Sequence, residues 1–82
     1  MDRIKETEPV FELEERGYKV TVWNLKDNKG DAVVEITRGE ELIREFLFPA
    51  YKVYNIAAHF SDIVDSEIQK NDTGYRIAGS TI

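Results

Sequence analysis

From Val10 onward, apolar and polar residues alternate with a period of two: Phe11 and Leu13 fall on one side, Glu12 and Glu14 on the other. That spacing marks a strand with one face buried. Gly17 then permits a tight reversal, and residues 18–25 resume the alternation with Tyr18, Val20, Thr21, Val22 and Trp23, types that favour strands. The run Asp27-Asn28-Lys29-Gly30-Asp31 has turn composition. Residues 32–37 return as a third strand, Arg38-Gly39-Glu40 reverses the chain again, and residues 41–48 make a fourth. Connections this short join neighbouring strands, so residues 10–48 are expected to form an antiparallel meander.

The period changes at Pro49, whose fixed φ suits a first helical turn. Val53, Ile56, Ala57, Phe60, Ile63, Val64 and Ile68 gather in one arc of a 3.6-residue wheel, opposite Lys52, Asn55, His59, Asp62, Ser66 and Gln69. This predicts one long amphipathic helix over residues 49–70. Asn71-Asp72-Thr73-Gly74 reads as its exit, and residues 71–82 as a tail or a short fifth strand at the sheet edge. With residues 1–9 as a loose polar arm, the whole of 1–82 is expected to be a single two-layer α+β domain of order ββββα.

One helix covers one side of such a sheet. Phe11, Leu13, Val20, Val22, Ala32, Val34 and Ile36 supply the side facing it. The opposite side of a free monomer should be polar, yet the alternation puts Trp23 and Leu25 there from strand two, Val33 from strand three, and Ile43 and Leu47 from strand four. Those five residues are the candidate interface. The coverings open to it are the chain's own ends, through Ile4, Ile77 or Ile82, a second copy of the chain, or another molecule.

With 82 residues the chain is too short for two independent cores, and the absence of cysteine excludes disulfides, thiol catalysis and thiolate metal sites. A balance of 16 acidic against 11 basic residues, −5 overall, opposes binding to polyanions by bulk charge. No stretch is apolar enough to span a membrane, and the charged start, Met1 to Glu6, lacks the apolar segment of a signal peptide. A soluble cytoplasmic protein is expected.

The remaining chemistry is sparse. His59 and Asp62, three apart on the polar helix face, are the one pair suited to proton transfer, but such a pair on an exposed helix is far more often solvated surface. A single histidine builds no zinc site, and the oxygen-rich turn Asp27–Asp31 departs from the calcium-loop pattern at Lys29 and Ala32. No metal or cofactor is expected. Ser61, Ser66 and Ser80 stand in no nucleophile motif, and the glycines are not spaced as a phosphate loop. Tyr18, Trp23, Tyr54 and Tyr75 could stack on bases beside Lys19, Lys26, Arg44 or Arg76, or could fill the small core.

Four antiparallel strands followed by a helix, over residues 10–70, resemble in architecture the Whirly and positive-cofactor-4-like single-strand-binding modules. That resemblance implies dimerisation through the helix and a sheet lined with basic and aromatic residues, and the acid excess departs from it. The expectation is therefore a small non-enzymatic interaction or regulatory domain, pairing with itself or another protein through the mixed sheet face. Single-stranded nucleic-acid binding is the alternative, and an enzyme using His59 and Asp62 stands behind both.

Overall fold

Alternation along the chain becomes a single antiparallel sheet in the computed structural model, which describes residues 4–80 and side chains as far as Lys70. Its strands are β1 (Phe11–Glu15), β2 (Tyr18–Asn24), β3 (Asp31–Arg38) and β4 (Glu41–Pro49), lying side by side in that order. Arg16 and Gly17, with φ of 53° and 81°, close the first hairpin. Two positive-φ residues in a two-residue loop give a type I′ turn, whose twist matches that of the flanking strands.

Register assigns each residue to a face. Phe11 opposes Val22, which opposes Val34, which opposes Phe46; Leu13, Val20 and Ile36 form the adjacent row. These rows carry the core: Val20, Val22, Val34 and Ile36 are buried, and Val53, Ile56 and Val64 pack onto them from the helical layer. The other face reads Trp23–Val33–Leu47, then Glu12–Thr21–Glu35–Glu45, then Glu14–Lys19–Thr37–Leu42.

A bulge in β4 resets the alternation. Ile36 pairs with Arg44 while Thr37 pairs with Leu42, leaving Ile43 as the extra residue. Ile43 therefore packs against the helix-side core instead of standing on the opposite face as strict alternation predicts, and Leu42 takes that face. A single inserted residue is enough, because strand faces depend on parity.

The helical layer also departs from expectation. Pro49 ends β4 rather than opening a helix; on this edge strand its missing N–H breaks no ladder on the outward side. A 3-10 turn (Ala50–Lys52) leads into α1 (Val53–Ala58), and α2 (Phe60–Ser80) follows. The break falls at His59, where φ is −113° and ψ is 22°. It divides the one expected helix into two, and Val53 and Ile56 of α1 reach the same core as Val64 of α2. Residues 71–80 continue α2 instead of forming an exit and an edge strand. No proline interrupts them, and a glycine inside a helix costs only about 1 kcal/mol. Residues 81–82 of the expected fifth strand lie outside the described residues, as does the start of the arm, residues 1–3.

Candidate functional site

The face turned away from the helices is where the sequence places its interface residues, and the structure separates them. Val33 is fully buried and Leu25 is 2% exposed. Both belong to the chain's own interior and are not free to meet a partner. Trp23 is half-buried, Leu47 remains 43% exposed, and Leu42, on the same face across the Glu35–Glu45 row, is 53% exposed. Of the five candidates, Trp23 and Leu47 stay on a common surface, Leu42 replaces Ile43, and Leu25 and Val33 lie beneath.

Alongside the indole end of β2, as an extension of the sheet, runs the polar arm. Lys5 forms a bridge with Leu25, the Glu6 amide donates to the Asn24 carbonyl (3.0 Å), and the Lys26 amide donates to the Ile4 carbonyl (2.7 Å), so residues 4–6 run antiparallel along the end of β2. The chain returns to the main sheet through Val10, whose amide donates to Val22 (2.7 Å).

Lys5 reaches from this arm across the face. Its ammonium lies 5.7 Å from the centre of the Trp23 ring, pairs with Glu35, and reaches Glu45 at 3.4 Å. Glu35 also accepts a hydrogen bond from the Trp23 indole N–H at 2.9 Å. Burial pushes the Glu35 carboxyl up, but the Lys5 and Trp23 hydrogen bonds and the Lys5 charge more than offset it and hold it below its ordinary value. Burial likewise lowers the Lys5 ammonium, and its two carboxylate partners raise it above the ordinary lysine value. Trp23 is thus fixed by a polar latch.

Outside this face the sequence candidates disperse. His59 Nδ1 stands 3.8 Å from Asp62 Oδ2, with the two side chains 68% and 82% exposed, so the pair lies on open helix surface rather than in a cleft. Asn28 Oδ1 accepts from the Gly30 amide (3.1 Å) and Asn28 Nδ2 donates to Asp31 (3.0 Å), so these groups of the oxygen-rich turn satisfy one another. Among the described residues no cluster of His, Asp or Glu could hold a metal ion. Tyr18 is buried, with its hydroxyl 3.3 Å from Arg38, and Tyr54 stacks on Phe11 at 5.8 Å. The side chain of Tyr75 lies outside the described residues.

A second feature, on the helix side, was not singled out from the sequence. Between the two helices and the β3–β4 half of the sheet runs a groove of about 310 Å³, with walls that include Ile36, Phe46, Phe48, Ile56 and Ile63. At one end stands Glu67, whose side chain is only 5% exposed, paired with Arg44 (3.2 Å) and Lys70 (3.6 Å). The sequence did hold a signal: Glu67 lies four residues after Ile63 and three after Val64, so a carboxylate sits within the apolar arc of the wheel.

These geometries define a class of architecture, a four-stranded antiparallel meander covered on one side by two consecutive helices. Among known proteins, no family model matches the chain, and no curated protein or solved structure is significantly similar to it.

Proposed function

We propose that this chain is a non-enzymatic interaction module that self-associates through the leucine-bearing outer face of β4. The observation that carries the reading is the exposure of Leu42 and Leu47 on one face, Leu47 in the row of half-buried Trp23 and Leu42 two rows along β4, across Glu45. Burying such side chains against a second copy releases water from both, at about 25 cal/mol per Å² of apolar surface before association costs. Extension of the sheet edge is the less favourable geometry: antiparallel pairing of two β4 strands centred on Arg44 or Glu45 sets like charges opposite each other. Packing of face on face avoids this. The open position of His59 and Asp62 supports binding rather than catalysis. Nucleic acid is the weaker partner because this face carries Glu12, Glu14, Glu35 and Glu45 against Lys5 and Lys19.

Gel filtration with light scattering over a range of concentrations tests the reading. A dimer is expected, and Leu47→Glu should return it to monomer while leaving the circular dichroism unchanged. A chain that stays monomeric at all concentrations sinks the proposal.

A further inference from the structure

The groove between the two helices and the β3–β4 half of the sheet is polarised along its length. At one end Phe46, Phe48, Ile56 and Ile63 offer only carbon. At the other, Arg44, Ser66, Glu67 and Lys70 come together. Both cations pair with the same carboxylate oxygen, Glu67 Oε2, at 3.2 and 3.6 Å. Among the described residues, the charged end therefore holds two cations against one anion.

That surplus remains accessible. The Arg44 and Lys70 side chains are 46% and 56% exposed, whereas Glu67 is buried beneath them. A guanidinium has five N–H groups and an ammonium three, more than one carboxylate oxygen occupies. The Arg44 guanidinium also lies 5.2 Å from the centre of the Phe46 ring, at the junction of the charged and apolar ends. Glu67 thus anchors a cationic pair at the mouth of an apolar slot, and the charge it leaves uncompensated is positive.

We propose that this groove binds a small amphipathic monocarboxylate, with its aliphatic body between Phe46, Phe48, Ile56 and Ile63 and its carboxylate on Arg44 and Lys70. Size limits the ligand. A volume of about 310 Å³ lies at the low end of small-molecule sites. A chain of about eight carbons with its carboxylate, as in octanoate, is of that class of size. A neutral ligand of that length leaves the surplus charge unanswered, and an alkylammonium meets two like charges. The groove opens on the helix side of the sheet, so this inference is independent of self-association through the outer face of β4.

The test is titration of the full chain with hexanoate, octanoate, 1-octanol and octylammonium, followed by calorimetry and by NMR shifts of the Ile and Phe side chains. Octanoate should bind one to one, with Ile and Phe shifts confined to Ile36, Phe46, Phe48, Ile56 and Ile63. Each methylene between hexanoate and octanoate should tighten binding about fourfold. Octanol and octylammonium should bind about tenfold more weakly, and Lys70→Gln should weaken octanoate by a similar factor while leaving octanol unchanged. Since the variant alters an exposed residue and the ligand series uses the unaltered chain, loss of folding cannot account for the pattern. No saturable binding up to about 10 mM, octanol binding as tightly as octanoate, or shifts on the Trp23 face would each overturn the proposal. So would octanoate binding that is lost as protein concentration rises, since that result assigns the groove to a second copy.

Discussion

At Gly17 the backbone alone decides the cost of a side chain. An added Cβ would meet nothing within 4 Å, yet φ of +81° lies where L-residues are strained. Gly17→Ala is therefore expected to lower stability by roughly 1–2 kcal/mol in chemical denaturation. Gly30 provides the comparison: its φ is outside the left-handed region and a Cβ would make ordinary contact with Asn28 Oδ1 at 3.5 Å, so Gly30→Ala should change stability by under about 0.5 kcal/mol. Equal losses at the two positions would refute the assignment of strain. The Lys5–Glu35 pair has a pH window instead. Glu35 is held below its ordinary 4.5, so its stabilisation is complete above that value and is lost as pH falls through the lower folded value. Lys5 is held above its ordinary 10.5, so its stabilisation is complete below that value and is lost as pH rises through the higher folded one. Trp23 fluorescence should accordingly be flat between the two ordinary values, 4.5 and 10.5, and change only once pH falls below the first, and Glu35→Gln should abolish that acid step. An acid transition that persists in the variant would locate it elsewhere.

Among the elements, the arm is the one whose role the sequence understated. Residues 1–9 read as loose because they are polar, but residues 4–6 pair with the end of β2 through backbone groups, which composition does not reveal. Beside them Leu25, the bridge partner of Lys5, is almost completely buried. Deletion of residues 1–8 is expected to cost about 1.5–3 kcal/mol, the value of one buried leucine, and to shift Trp23 emission to the red. An unchanged denaturation midpoint would mean that the arm contributes nothing. Strands were legible because a period of two survives in short segments. The helical break at His59 was not, since the apolar arc runs through Val53, Ile56, Phe60 and Val64 without interruption and the wheel records faces rather than axis direction.

For the whole molecule, net charge and contact surface act in opposite directions. An overall charge of −5 makes two copies repel, while burial of the Leu42 and Leu47 faces draws them together. Salt screens the first and leaves the second, so the proposed dimer should tighten or hold between about 50 and 500 mM salt. Binding to a single-stranded oligonucleotide would weaken steeply over the same range, and a dimer that dissociates with added salt would point to charge as its cement. At this scale, what residue order determined is the list of strands, their neighbours and the apolar stripe of the helical segment, because those follow from local periodicity and short connections. What only the tertiary structure decided is which of those residues remain outside. Val33 and Leu25 went in, Ile43 crossed to the core at a bulge, Leu42 came out, and Glu67 was enclosed beneath the exposed Arg44 and Lys70. The reason is physical: exposure depends on what packs across from a residue, and that neighbour is set by register, by one inserted position and by an arm far away in the chain.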